Sequence, residues 1–128
     1  MKTINVGLIG FGTVGSGTAE VLHEQAARLE KRTGHRIRLK TVADLYVEAI
    51  PDHLGEVTLT KDVEDIFSDP DIDIVIELIG GIEPAKTFIL KAIASGKHVV
   101  TANKALISQH GMEIFNAAAE KNVEVGFE

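Results

Sequence analysis

The sequence predicts an α/β domain in which helices cover both faces of a doubly wound parallel sheet. Short apolar runs alternate with longer amphipathic stretches along the chain, which indicates strands that alternate with helices. A glycine-rich turn at residues 10–15 joins the first apolar run to the first amphipathic stretch. Neighbouring strands in this order are expected to be parallel, because a parallel pair needs a crossover connection.

The first two strands and the helix between them follow from their patterns of apolar residues. Residues 4–9 form an apolar run that stops at a glycine cluster, which favours a strand buried on both faces. Apolar positions near helical spacing then predict one helix over about 13–32, ended by Gly34. Apolar side chains alternate over 37–43, which predicts the second strand.

Proline and glycine divide the middle of the chain into shorter elements. A proline and a glycine interrupt the stretch 45–56, which we predict as a loop or irregular helix before a short strand at 57–59. A short helix over 61–67 is predicted to end before Pro70, because the residue before a proline is biased out of the helical region. Residues 72–79 are the strongest predicted strand and end at two glycines.

The last third of the chain continues the alternation. Pro84 stands where a helix begins, and Gly96 stands where it ends. We expect Gly111 to break the next helical region, because glycine is unfavourable inside a helix. The remaining predicted elements are a strand at 98–101, a helical segment up to Ser108, a helix at 112–121 and a strand at 123–127.

Composition excludes several classes of function. The chain has 13 basic and 19 acidic residues and a net charge of -6, which argues against binding to nucleic acid or to anionic membranes. It has no cysteine, and its five histidines lack metal-ligand spacing, so neither a disulfide framework nor a metal site is expected. It contains no signal peptide and no apolar run of about 18 residues. We therefore expect a soluble, cytoplasmic protein.

The glycine-rich turn carries the strongest functional motif. Its G-x-G-x-x-G pattern directly follows a predicted strand and opens a helix, which is the context of a Rossmann-type NAD(P)-binding domain. The residues that we expect to hold the dinucleotide in this turn are Gly10, Phe11, Gly12, Thr13, Val14 and Gly15. A P-loop is disfavoured because Ser16-Gly17 replaces the required lysine and hydroxyl residue. A glycine turn without a ligand is the remaining alternative.

Asp44 is the candidate that decides between the two nicotinamide cofactors. It follows the second predicted strand, where a carboxylate can accept hydrogen bonds from the adenosine ribose and repel a 2′-phosphate. Ala43 stands where an arginine would serve that phosphate. We therefore favour NAD over NADP, although Lys40 or Lys61 remains available to a phosphate. A solvated loop carboxylate is the structural alternative for Asp44.

Three segments of the chain resemble the homoserine dehydrogenase family. They are the glycine turn with its strand at 7–15, Val-Ile-Glu-Leu-Ile-Gly-Gly at 75–81, and Lys-His-Val-Val-Thr-Ala-Asn-Lys-Ala-Leu at 97–106. The resemblance implies hydride transfer between L-homoserine and L-aspartate 4-semialdehyde, in a parent that is a homodimer. It also implies that residues 1–128 form one dinucleotide-binding domain without the substrate-binding, catalytic domain, so that this chain turns over little or no homoserine.

Candidate functional residues also lie beyond the glycine turn. Lys104 is the candidate catalytic residue, which steers an anionic substrate or cofactor and assists proton movement; an exposed lysine at a helix start is its alternative. Asn103 is expected to cap the following helix, to meet the cofactor carboxamide, or both. Glu77 is interpreted as structural before catalytic, since a carboxylate in an apolar strand is costly. The further residues expected to bind the cofactor are Gly80, Gly81, Thr101, Asn103 and Lys104. A turn without a ligand is the alternative for Gly80 and Gly81.

Two other functions remain open at this point. One is a different two-domain nicotinamide-dependent dehydrogenase. The Thr-Ala-Asn-Lys sequence at 101–104 argues against this alternative. The other is a non-enzymatic module that senses the nucleotide. In the resembling family a monovalent-cation site would begin at a position that corresponds to Glu128, and its other ligands belong to the absent domain.

Overall fold

The computed structural model describes residues 2–127, and strands and helices alternate along them. Glu128, where the cation site of the family would begin, lies outside this range. The strands are β1 (Lys2–Ile9), β2 (His35–Ala43), β3 (Thr58–Thr60), β4 (Ile72–Glu77), β5 (His98–Thr101) and β6 (Val125–Phe127). The helices are α1 (Thr13–Glu24), α2 (Ala26–Thr33), α3 (Glu64–Phe67), α4 (Ala85–Ala94) and α5 (Lys104–Lys121), with a short 3₁₀ helix at Asp52–Leu54.

All six strands form one parallel sheet in the order β3-β2-β1-β4-β5-β6. The order reverses between β1 and β4, as it does in a doubly wound sheet of the Rossmann type. This confirms the predicted fold class. It also identifies the crevice at the carboxyl ends of β1 and β4 as the place where such sheets bind ligands.

The core lies on both faces of the sheet. Side chains alternate along a strand, so Leu8 and Ile9 of β1 belong to different clusters. Leu8 packs in a cluster with Phe11, Ala19 and Val42, which seats α1 on one face. Ile9 packs in the larger cluster on the other face, where α4 and α5 are seated. Both helical layers therefore fix the strand that leads into the glycine turn.

The prediction of a single helix over 13–32 was wrong, because a bend at Gln25 divides this segment into α1 and α2. Gln25 has φ -98° and ψ 13°, outside the helical region. α2 then packs against β2, and the bend directs it toward that strand. Neither proline nor glycine marks Gln25, so the local sequence contains no signal for the bend. The end of α2 is as predicted, with Gly34 in the left-handed conformation at φ 74°.

The prediction that Gly111 breaks a helix was also wrong, since α5 runs without interruption past it. Gly111 is buried in the middle of α5, the helix that packs against α4. A Cβ at this position would lie 3.5 Å from Cγ2 of Ile107. Glycine costs a helix about 1 kcal/mol relative to alanine, and tertiary packing offsets that cost.

The other differences from prediction concern the ends of elements. Within residues 2–127, β4 ends at Glu77 rather than residue 79, and β3 and α3 begin later than expected. β1 and β2 each begin two residues earlier than predicted, and β6 begins two residues later than predicted. In the same part of the chain, none of the helices has the length and apolar character needed to cross a bilayer.

Candidate dinucleotide-binding site

The three glycines of the turn after β1 occupy three different environments. Gly10 has φ +98°, and a Cβ there would meet Cγ2 of Ile79 at 2.8 Å. A Cβ at Gly15 would overlap the carbonyl oxygen of Gly10, which shows how closely α1 packs on the end of β1. Nothing lies within 4 Å of the Cβ position of Gly12. The turn therefore needs Gly10 and Gly15 for its own packing, whereas Gly12 leaves space for a ligand.

The amino-terminal end of α1 faces that space. Gly12 caps the helix without a side-chain hydrogen bond, and the first turn contains no acidic residue. Thr13 is exposed, and Val14 is 63% exposed despite its apolar side chain. The first N–H groups of a helix have no partner within the helix, and they carry the positive end of its dipole. This end of α1 therefore has the features of a phosphate-binding site.

Asp44 joins the end of β2 to the glycine turn. Its Oδ2 accepts a hydrogen bond from the N–H of Phe11 at 2.7 Å. Its Oδ1 accepts from the N–H groups of Tyr46 and Val47 at 2.8 and 2.9 Å. Burial alone would raise the pKa of Asp44, but the N–H donors of Phe11, Val47 and Tyr46 hold that pKa below its ordinary value. Asp44 is therefore a carboxylate at neutral pH, and it organises the turn as well as lining the crevice.

A cleft of about 340 Å³ lies beside Asp44 on the β2 side of the turn. Its lining is mostly apolar and includes Tyr46, which is 86% exposed, and Phe88 of α4. Lys61 is the only cationic side chain among the residues that line this cleft, and its Nζ lies 3.5 Å from Oε1 of Glu48. The cleft combines flat apolar surface with a carboxylate, which suits an adenosine group.

The structure places Lys40 away from this cleft. Its Nζ lies 2.6 Å from Oδ2 of Asp69, in the turn that precedes β4. Asp69 lies before the amino end of β4, whereas the glycine turn follows the carboxyl end of β1. Lys40 is therefore bound elsewhere and is not in a position to hold a 2′-phosphate, in contrast to Lys61.

Glu77 ends β4 by binding the turn that follows it. Its Oε2 accepts hydrogen bonds from the N–H groups of Ile79 and Gly80 at 2.9 and 3.1 Å. Gly80 and Gly81 both have positive φ, +75° and +71°, a conformation that glycine adopts without steric cost. The bonds to Glu77 explain why the strand stops before residue 79, since the N–H groups of that segment turn back to the carboxylate.

Thr101 and Asn103 connect this turn to the start of α5. The hydroxyl of Thr101 donates to Oε1 of Glu77 at 2.7 Å and accepts from the N–H of Asn103 at 3.1 Å. The Asn103 side chain donates to the carbonyl of Gly81 and accepts from the N–H of Leu106. The predicted capping role of Asn103 is confirmed. Thr101 is fully buried, so its side chain supports the site from behind, which its sequence position did not reveal.

Lys104 begins α5 at the mouth of a second cleft. This cleft, of about 250 Å³, lies on the β4 and β5 side of the glycine turn. Lys104 is exposed at the first position of the helix, where a cation opposes the helix dipole at a cost of about 0.3–1 kcal/mol. A lysine at this position is therefore not explained by helix stability. The cleft is lined by Val14, Glu77, Leu78, Gly80, Ala102, Asn103 and Lys104.

Two clefts thus flank the glycine turn at one edge of the sheet. Asp44 lies on one side and Lys104 on the other, with the free end of α1 between them. Phe11 is the exception among the residues of the turn, because its side chain is buried in the core and its N–H is bound to Asp44. Across residues 2–127, no group of three or more His, Cys, Asp or Glu side chains is placed to hold a metal ion.

Comparison with known proteins gives a consistent result. A family model described as homoserine dehydrogenase, NAD binding domain, matches residues 10–128. Homoserine dehydrogenase of Pseudomonas aeruginosa is 48% identical over 128 residues, which cover 100% of this chain and 29% of that protein. Homoserine dehydrogenase of Neisseria gonorrhoeae is 44% identical over 128 residues, which again cover 100% of this chain and 29% of that protein.

Solved structures agree with these matches. A homoserine dehydrogenase from Thiobacillus denitrificans superposes with a TM-score of 0.92 at 49% identity, over 100% of this chain and 30% of that one. An NAD-binding oxidoreductase from Klebsiella pneumoniae gives a TM-score of 0.84 at 28% identity, over 98% of this chain and 34% of its own. The chain therefore spans about 30% of the length of the relatives that it matches.

Proposed function

The chain belongs to the homoserine dehydrogenase family as its NAD-binding domain, and from that membership we propose that the parent enzyme interconverts L-homoserine and L-aspartate 4-semialdehyde. One juxtaposition supports the proposal most. The open amino-terminal end of α1, the carboxylate of Asp44 and the ammonium of Lys104 all lie at the same edge of the sheet. These three groups would meet the pyrophosphate, the adenosine and the substrate carboxylate, respectively.

Each part of the site fits one part of the dinucleotide. The N–H groups from Gly12 to Val14 would hold the pyrophosphate, since no side chain caps them. The apolar cleft beside Asp44 would hold the adenosine, and the cleft beside Lys104 would hold the nicotinamide. When bound, the nicotinamide ring supplies or accepts hydride at its C4.

The residues of this chain bind and orient rather than carry out the redox step. Lys104 is placed to attract the substrate carboxylate and to assist proton movement at the reacting oxygen. Gly80 and Gly81 allow the backbone to pass close beside the nucleotide. Thr101 acts indirectly, through Glu77 and Asn103.

NAD is the favoured cofactor. The N–H donors around Asp44 keep it ionised, so that its charge opposes a 2′-phosphate in the adjacent cleft. Ala43 is buried and offers no cation, and Lys40 is paired with Asp69. Lys61 is the residue through which NADP would bind if this preference were wrong.

Catalysis requires residues outside this chain. The chain corresponds to about 30% of its relatives' length, and the family places substrate binding in the remainder. We therefore propose that the isolated chain binds the dinucleotide with little or no turnover of homoserine. A homodimeric parent remains a prediction from the resemblance, and a cytoplasmic location remains a prediction from the composition.

Calorimetric titration with NADH and then NADPH tests the proposal. We expect saturable binding of both, with a clear preference for NADH. Stronger binding of NADPH would overturn the assignment of Asp44 and point to Lys61. Binding of neither would overturn the proposal that this chain holds a dinucleotide by itself, and full turnover in an NAD-coupled homoserine assay would overturn the proposed inactivity.

A further inference from the structure

Glu77 is a buried acidic side chain whose hydrogen-bond donors are all neutral groups. It is only 1% exposed, and none of the ion pairs formed within residues 2–127 includes it. The Thr101 hydroxyl already accepts a hydrogen bond from Asn103, so its own proton is directed to Oε1 of Glu77. Oε2 accepts from two N–H groups. Glu77 thus accepts hydrogen bonds from three donors through its two oxygens.

The hydrogen bonds of Glu77 connect two loops that are distant in sequence. One is the turn at 78–81 after β4, and the other is the segment at 101–104 after β5. The side chain of Asn103 closes the ring by donating to the carbonyl of Gly81. The turn contains two glycines with positive φ, so its own backbone restrains it weakly. The bonds from Glu77 and Asn103 supply the restraint.

Both loops line the cleft beside Lys104, whereas only the turn at 78–81, through Ile79, also borders the cleft beside Asp44. Gly80, Asn103 and Lys104 all face the first of these clefts. We propose that Glu77 is a positioning residue for the nicotinamide half of the dinucleotide, because it holds these two loops at the spacing that the nicotinamide requires. This inference rests on the proposed function, and it adds a residue that acts through its neighbours without touching the reacting atoms.

Thr101→Val tests the link between the loops with little change in volume. The substitution removes the hydroxyl, which leaves Oε1 of Glu77 without its donor and the N–H of Asn103 without its acceptor. Each is a buried or partly buried polar group, and such groups are costly when unsatisfied. We expect the loops to move apart or to admit water, while the glycine turn and Asp44 keep their own hydrogen bonds.

The readout is the affinity for NADH compared with that for ADP-ribose, which lacks the nicotinamide. In Thr101→Val we expect NADH to bind about tenfold more weakly, with ADP-ribose changed by less than about threefold. Thr101→Ser retains the hydroxyl and is expected to restore most of the NADH affinity. Thr41→Val makes the same substitution at a buried threonine of β2 outside the site, and it controls for general destabilisation.

Several outcomes would overturn the inference. Equal loss of affinity for NADH and ADP-ribose would mean that Thr101→Val weakens the whole domain, and no loss for either would mean that the link is unimportant. If the unsubstituted chain binds NADH and ADP-ribose with equal affinity, the cleft does not engage the nicotinamide. If Thr101→Val does not fold, Glu77→Gln, which keeps one acceptor oxygen, is measured in the same way. If the unsubstituted chain binds neither ligand, that result would instead refute the proposed function.

Discussion

The Oδ2 atom of Asp44 accepts a hydrogen bond from the N–H of Phe11 at 2.7 Å, across 33 positions of sequence. This bond fixes the glycine turn to the end of β2. The residue that is expected to select the cofactor therefore also shapes the turn that is proposed to bind its phosphates. Substitution of Asp44 is expected to affect both properties, and they can be separated by comparing two cofactors.

Asp44→Asn is expected to raise the affinity for NADPH relative to NADH by about tenfold, because it removes a negative charge near the 2′ position. The absolute affinity for NADH is expected to fall, since an amide cannot accept all three N–H bonds. Calorimetry with both cofactors measures the ratio. Asp52→Asn removes the same charge from an exposed position in the same loop and should leave the ratio unchanged; a matching rise in that variant would attribute the effect to net charge.

Acidification is expected to destabilise the domain through Asp44 and Asp69. The hydrogen bond from Lys40 is the main cause that lowers the pKa of Asp69, and backbone N–H donors lower that of Asp44 against the effect of burial. A carboxyl group with a lowered pKa in the folded state stabilises it above the ordinary value, here 3.8, and this contribution disappears as pH falls through the folded-state pKa.

Urea denaturation at a series of pH values from 7 to about 2.5 checks this dependence, because it follows the free energy of unfolding directly. In the double variant Asp44→Asn/Asp69→Asn, the free energy of unfolding should fall less steeply below pH 3.8 than it does in the unsubstituted chain. An identical slope in both proteins would contradict the assigned pKa shifts.

Gly12, Gly15 and Gly17 are expected to respond differently to alanine. Gly15→Ala should destabilise the fold by about 3 kcal/mol, because the new Cβ would overlap the carbonyl of Gly10. The Cβ added by Gly12→Ala would lie in open space. The free energy of unfolding should therefore stay within about 1 kcal/mol of that of the unsubstituted chain, while NADH binding is lost. Gly17→Ala lies in α1 with open space around it and should stabilise by about 0.5–1 kcal/mol without loss of binding.

Thermal denaturation and calorimetry on the three glycine variants give the stability and the affinity separately. The informative protein is Gly12→Ala, which should be folded and unable to bind. If it binds NADH as the parent does, the open space beside Gly12 is not where the pyrophosphate lies.

Lys104→Gln is expected to weaken NADH binding by about tenfold without loss of stability. A cation at the first position of α5 opposes the helix dipole, so its removal should be neutral or stabilising by up to about 1 kcal/mol. Lys121→Gln is the matched control at the last turn of the same helix. It should cost a few tenths of a kcal/mol and leave affinity unchanged. Equal affinities in both variants would reduce Lys104 to an exposed surface residue.

The glycine turn was predictable from sequence because its chemistry is local. Gly10, Gly12 and Gly15 lie within six positions, and their spacing next to a strand encodes both the sharp turn and the close helix. The role of Asn103 as a helix cap was likewise local, since the N–H that it accepts from belongs to Leu106. The strand and helix alternation followed from periodicity in the same way.

The features that the sequence did not reveal depend on partners far away in the chain. The hydroxyl of Thr101 is bound to a carboxylate 24 positions earlier, a link that its position in the sequence does not indicate. Gly111 was expected to end a helix, but packing against α4 sustains α5 through it. Local propensity contains no information about such contacts, because they form only when the sheet is assembled.

The position of β1 at the centre of the sheet has a consequence for biosynthesis. β1 is translated before the other five strands, yet one of its two neighbours is β4, and the N–H of Asn5 bonds to the carboxylate of Asp73, 68 positions later. One side of the central strand therefore stays unpaired until β4 has left the ribosome. Such long-range pairing slows folding, and a nascent chain with an open apolar strand is prone to aggregate. The burial of β1 beneath the glycine turn thus also leaves an apolar segment in need of protection during synthesis.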